Sequence, residues 1–382
     1  MIDMVKNSLG EIANVKKSSL TGIAVSSWKE LQALVRAGKA SEVVELGDRL
    51  VCKRGDTKLT WEVVGFDQDT PVDENFTHSL TLGLCHCLPE FVTFDAGEKL
   101  YCCEERLPAG TYHFTVPEEL SDLSHGGSKI QFTIDEDLLA GDYISISEQS
   151  YSYSMKLYAV HRGQGTESLD FSIGNKGTDL GIADGTSPNL NDFSKGISGF
   201  HRWKSSSLRN YLNTDKTIDE YKFNFSDTWL EDTAGFLHGL DDDFLAVIGK
   251  VQKTQIVGSY MLNLNYTSKE ETTDDLFFIP SLKELGYDVS SIEHSTGDTG
   301  KTYQRFQYAY NKGVDSSRLR RKNGVVSPWW TRTTQLYSND AGCLFAVNVD
   351  GAAKRTGFAN TNNVTSGGVP YRPGIVPFCC IV

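Results

Sequence analysis

Ser327-Pro328-Trp329-Trp330-Thr331-Arg332-Thr333 sets two adjacent tryptophans and one arginine among β-branched residues. It is followed by Ala346-Val347-Asn348-Val349-Asp350-Gly351, then by the polar run Asn360-Thr361-Asn362-Asn363-Val364-Thr365-Ser366. Gly367-Gly368-Val369-Pro370-Tyr371-Arg372-Pro373-Gly374-Ile375-Val376-Pro377-Phe378 comes next. Aromatic, β-branched and proline residues in this arrangement build rigid strands, and the polar runs between them are loops that can vary without harming a core. Neighbouring strand residues face opposite ways, so at least one of Trp329 and Trp330 must enter the core.

Working outward, the chain alternates between patterned and unpatterned stretches. Residues 1–25 read as an extended arm. Ser27 caps a short helix, Glu30 completes a capping box, Trp28, Leu31, Leu34 and Val35 share one face, and Gly38 ends it. Residues 42–66 are the clearest hairpin: Val43, Val44, Leu46, Leu50, Val51 and Cys52 lead to a Gly55-Asp56 turn, and Leu59, Trp61, Val63, Val64 and Phe66 return. Between 90 and 195, short alternating strands near 107–116, 130–134, 141–146 and 156–160 predict a small β-sandwich insert. The glycine-rich stretch 174–199 reads as a long returning loop. Helices are expected around Leu208, Tyr211 and Leu212, and from about 242 to 251.

Trp203-Lys204-Ser205-Ser206-Ser207-Leu208-Arg209-Asn210-Tyr211-Leu212-Asn213, Phe277-Phe278-Ile279-Pro280-Ser281-Leu282, Trp329-Trp330-Thr331-Arg332, Val347-Asn348-Val349-Asp350-Gly351 and Arg372-Pro373 follow one another in an order that resembles a domain family of gut bacteria and their phages. That family has a C-type-lectin-like, or formylglycine-generating-enzyme-like, fold. Leu46-Gly47-Asp48 and Trp61-Glu62-Val63 resemble its first strands. Pro370 and Tyr371 stand where the family more often has Gly-Val, and the tail ends Cys379-Cys380-Ile381-Val382. The resemblance implies an α+β chain with a discontinuous C-type-lectin-like domain: arm and helix at 1–40, first hairpin at 41–89, insert at 90–195 and the lectin-like remainder at 196–382. The strand at 42–52 would then share a domain with the terminal strand near 375–382. Trp203, Trp329, Trp330 and Arg372 are the expected structural residues.

With 382 residues and 39% apolar content the chain can bury ordinary cores. A net charge of −13 argues against a broad nucleic-acid-binding face, and the short run Arg318-Leu319-Arg320-Arg321-Lys322 reads as a solvated face. No run of apolar residues is long enough for membrane insertion or a signal peptide, which predicts synthesis in a cytoplasm. The bunched cysteines suit free thiols, and Cys85-His86-Cys87 lacks the second pair a zinc site needs. The carboxylates from Asp67 to Asp73 fail as a calcium loop because Val72 stands where glycine is required. No nucleophile elbow, zincin motif or phosphate loop is present, so neither catalysis nor a cofactor is expected.

Tyr337, Ser338, Asn339 and Asp340 form one polar cluster, and Asn360, Asn362 and Asn363 lie in the second. Tyrosine offers amphipathic contact area at low entropic cost, and Ser and Asn adapt their hydrogen bonds, so these seven are the candidate ligand-binding residues. The resemblance implies that such loops are varied by a diversity-generating retroelement. It further implies a homotrimeric receptor-binding protein of a phage tail, contacting a host cell-surface protein or glycan on one side and tail or baseplate proteins on the other. A bacterial-surface or secreted lectin-like adhesion module is the alternative, and a formylglycine-generating type of enzyme the third. Replacing Trp330 by alanine should cost about 3–5 kcal/mol if the ring is buried. Unchanged melting temperatures of both the Trp329→Ala and Trp330→Ala variants would reject the structural role.

Overall fold

Ser27 Oγ accepts the Glu30 N–H at 3.3 Å and opens α1 (Trp28–Arg36), which buries Trp28, Leu31, Leu34 and Val35. The computed structural model describes residues 27–90, 94, 98–103, 105–115, 129–140, 142–147, 158–162, 165–182, 190–192, 203–215, 234–259, 267–292, 298, 300–307, 316–334, 343–358 and 373–382. The protein is a mixed fold, mostly sheet with few helices, and its main sheet curls into a half-barrel. After α1, β1 (Arg49–Arg54) and β2 (Thr57–Phe66) form the hairpin expected from their alternation, with Gly55 at φ 55° in the turn. β2 then pairs with β3 (Leu80–Leu84), buried at every position.

The chain next builds a separate unit from β4 (Glu98–Cys103), β5 (Gly110–Thr115), β6 (Lys129–Ile134), β7 (Tyr143–Ser147), β8 (Tyr158–Arg162), β9 (Gly165–Leu169), β10 (Phe171–Ile173), β11 (Thr178–Ile182) and β12 (Leu190–Asp192). They form two sheets, β10-β6-β5-β11 and β12-β4-β7-β8-β9. Leu107, Tyr112, Ile130, Phe132, Ile134, Leu138, Ile144, Val160 and Leu180 fill one core between them, distinct from the larger core of the rest. This is sheet-on-sheet packing. The stretch 174–199, expected as a loop, contains β11 and β12, whose alternation is too short to stand out among glycines. Phe94 belongs to the larger core, with its ring 6.0 Å from those of Trp203 and Trp330.

The remainder holds α2 (Ser207–Leu212), α3 (Asp242–Leu245), β13 (Ile248–Gly249), β14 (Val251–Ser259), β15 (Thr267–Asp275), β16 (Phe277–Phe278), β17 (Arg320–Lys322), β18 (Val325–Ser327), β19 (Trp329–Thr334), β20 (Cys343–Val347), β21 (Ala353–Phe358) and β22 (Phe378–Ile381). The helix expected over 242–251 is a single turn. Val247, Ile248 and Val251 are β-branched, Gly249 interrupts them, and pairing of β13 with β22 overrides the apolar periodicity. β22 lies between β3 and the pair β13 and β16, so the main sheet runs β1-β2-β3-β22-β13, with strands from both ends of the chain. Gly83 makes that closure possible, because a Cβ there would stand 2.8 Å from the Phe378 ring of its cross-strand partner. Trp28, Trp61 and Phe277 pack around this sheet with Phe244, whose ring is 4.7 Å from Trp28. Both Trp329 and Trp330 are buried, beyond the minimum of one that alternation required.

Since β3 occupies an interior place in the main sheet, residues 189–382 alone would leave the β22 edge and its apolar faces open. Expressed without residues 1–188, that fragment should lack a cooperative thermal transition. A fragment melting like the whole protein would contradict this topology.

Candidate binding face

Tyr337, Ser338, Asn339, Asp340, Asn360, Asn362, Asn363 and Arg372 lie outside the described residues, but the strands from which their segments depart are described. Thr334, the last residue of β19, pairs with Leu344, and Cys343, the first of β20, pairs with Phe358, the last of β21. Segments 335–342 and 359–372 therefore start from the same end of this three-stranded sheet. β14 runs beside β19 in the same direction: Arg332 Nε donates to the Thr254 carbonyl at 3.3 Å and Thr334 Oγ1 to the Ile256 carbonyl at 2.7 Å. Its C-terminal end at Ser259, where the β14–β15 hairpin turns back, points to that end as well.

Buried charge holds these strands together. Lys253 on β14 is 2% exposed; its ammonium pairs with Asp69, donates to Glu284 Oε1 at 3.0 Å and to Tyr303 Oη at 2.8 Å, and sits 3.8 Å from the centre of the Phe278 ring. Arg332 on β19 grips Glu284 with two parallel bonds of 2.6 Å and donates to the Ile279 carbonyl at 2.7 Å. Thr81 Oγ1 and Cys380 Sγ approach Asp69 Oδ2 at 2.6 and 3.3 Å. Two carboxylates and two cations cancel, which is what lets four ionised groups stay dry. A second network joins it: Gln255 Nε2 donates to the Arg332 carbonyl and Gln255 Oε1 accepts the Trp203 N–H, both at 2.6 Å. Trp203 Nε1, Arg209 Nε and Thr273 Oγ1 all donate to the Asp275 carboxylate, at 2.7, 2.6 and 2.7 Å.

Burial is the largest single influence on the Glu284 carboxyl and raises it, but the charges of Arg332 and Lys253 and the hydrogen bonds from Arg332 and Ser281 N–H together outweigh it and hold the group down to about 2. Burial would lower Lys253, but Asp69 and Glu284 keep it above its ordinary value. Asp298, which accepts from Thr333 Oγ1, is pushed above the ordinary carboxylate value by burial. Burial also raises the thiols of Cys379 and Cys380, and lifts Cys52 and Cys87 to about 12. Within the network the Lys253 ammonium is therefore kept charged and the Cys380 thiol protonated. Among the described residues no group of three or more His, Cys, Asp or Glu is placed to hold a metal.

Sequence reasoning missed Asp69, Lys253, Glu284 and Tyr303. One signal was present: Ser281-Leu282-Lys283-Glu284 has capping-box spacing, and Ser281 N donates to Glu284 Oε2 at 2.9 Å while Glu284 N donates to Ser281 Oγ at 3.2 Å. The basic run is not the solvated face expected. Arg318 and Arg320 are buried, donating to the carbonyls of Leu285 and Leu84 at 2.8 and 2.9 Å, because alternate residues of the run turn inward.

Residues 189–381, just over half the chain, match the family described as Domain of unknown function (DUF6273), and the protein belongs to that family. No curated protein and no solved structure matches the chain. The family span includes Lys253, Glu284 and Arg332 but not Asp69, so the network reaches beyond it.

A carboxyl held below its ordinary value of 4.5 stabilises the fold above that value and loses its contribution as pH falls toward 2. Asp298, raised by burial, acts in the opposite sense and softens that loss. Glu284→Gln should cost about 3–5 kcal/mol at neutral pH. It should also flatten the stability profile between pH 4.5 and 2 in chemical denaturation. A variant keeping the wild-type acid slope would show that Glu284 is not the responding group.

Proposed function

We propose that this protein binds a target without catalysis, through the segments carried at the shared end of β14, β19, β20 and β21. The observation that carries the reading is the register of β19, β20 and β21, which starts residues 335–342 and 359–372 from neighbouring strand ends. Tyr337, Ser338, Asn339, Asp340, Asn360, Asn362 and Asn363 are the residues proposed to contact the target. Paired charge beneath these strands supports the idea, since a rigid base lets loop side chains change chemistry at little cost to the fold. The ordered motifs from Trp203 to Arg372 favour a C-type-lectin-like scaffold. With that resemblance, the most concrete form is the receptor-binding protein of a phage or prophage tail, a homotrimer in the virion that attaches to a host surface protein or glycan. Multiple copies would multiply a weak single-site affinity. A neighbouring reverse-transcriptase gene with a near-identical template repeat would support loop diversification.

Alanine at all seven positions should abolish attachment to host cells, read by fluorescence of labelled protein, while the melting temperature shifts by only a few degrees. Full attachment by the folded variant would refute the assignment.

A further inference from the structure

Three guanidiniums gather around one carboxylate beside the β1–β2 hairpin. Arg305 Nε donates to Glu62 Oε1 at 2.8 Å, Arg320 Nη2 lies 3.5 Å from Glu62 Oε2, and Arg49 stands directly opposite Glu62 in the ladder. Opposed residues of an antiparallel pair share a face, with Cβ atoms about 5 Å apart. The three arginines are used differently. Arg320 is buried and gives its donors to the carbonyls of Leu84, Ser317 and Leu319. Arg305 is 36% exposed, and among the described residues its Nη atoms make no hydrogen bond. Arg49 is exposed and enters no hydrogen bond or ion pair among the described residues. The adjacent carboxylate of Asp48 accepts the Glu45 N–H at 2.8 Å.

Arg49, Arg305 and Arg320 stand here with Glu62, and with Asp48 and Glu45 in the adjoining turn, in a chain whose net charge is −13. Burial, then Arg49 and Arg320, lowers His86 below its ordinary value, so the imidazole is not one of the cations here. Arg320, Arg49 and Arg305 also act on Cys85, although burial still raises that thiol to about 11. Gly47, whose φ of 90° favours glycine, turns the chain against this pair: a Cβ there would lie in ordinary contact, 3.5 Å from Arg305 Nε and 3.8 Å from Glu62 Oε1.

We propose that Arg49 and Arg305, beside the Gly47 turn, form a surface site for an oxyanion: the sulfate, phosphate or carboxylate of a small ligand. The planar fork of a guanidinium matches such groups with two parallel hydrogen bonds. Glu62 aligns Arg305 from behind without neutralising all three cations. The site shares no residue with the loop-bearing strand ends, so it stands or falls independently of the target-binding reading.

The test titrates the full chain with sodium sulfate and, separately, sodium phosphate, each at constant ionic strength against chloride, using calorimetry and thermal melting. Saturable binding at one site with a rise in melting temperature is expected from at least one anion. Arg49→Gln should weaken it about tenfold, the loss of one hydrogen bond to a charged group, without altering the melting temperature in chloride. Arg305→Lys, which keeps the charge beside Glu62 but removes the fork, should weaken it too. Lys58→Gln, an exposed change on the same hairpin, should have no effect. Absence of saturable binding by both anions, or equal binding by the Arg49→Gln and Arg305→Lys proteins, would overturn the site.

Discussion

The bidentate pair of Glu284 and Arg332 is the constraint on which the C-terminal half depends. Arg332 ties β19 to the turn at 281–286, to β14 and to the Ile279 carbonyl, and Glu284 passes the connection to Lys253 and so to Asp69. Each group is buried, so none can be lost without leaving its partner charged in a dry interior. Apolar packing alone would let the β14–β15 hairpin slide on its neighbours. Hydrogen-bonded charges admit one register.

That constraint explains an inverted pattern in the hairpin. Lys253, Gln255, Glu271, Thr273 and Asp275 are buried while Gln252, Glu270, Thr272 and Asp274 are exposed, so both faces are polar. An alternation rule based on apolar residues has nothing to detect there. By contrast, α1, the 42–66 hairpin and the strands β5 to β8 were legible because their buried positions are apolar and recur with a period of about 3.6 or 2. The turn at 242–245 misled for the opposite reason, since β-branched residues at 247–251 fit both periods until the partner strand is known.

The candidate loop residues were legible only as composition: tyrosine, serine and asparagine between strong strands. The strands that carry them were legible too, but the buried charges beneath those strands were not. Lys253 and Asp69 are 184 positions apart and Arg332 is 48 from Glu284, separations over which local pattern carries no information about contact. The basic run misled similarly, because arginine is usually outside, and only the carbonyls of distant segments show why Arg318 and Arg320 are not.

Phe94 and Trp203 mark where the chain leaves the larger core for the sandwich and where it comes back. The Leu208 N–H donates to the Phe94 carbonyl at 3.0 Å, so the exit and the return sit side by side. A unit spliced in through two adjacent doorways, with its own core, perturbs its host no more than a long surface loop would. Such a junction behaves as a cassette site: the sandwich could be shortened, exchanged or replaced by a simple turn during evolution while the charge-locked body kept its geometry.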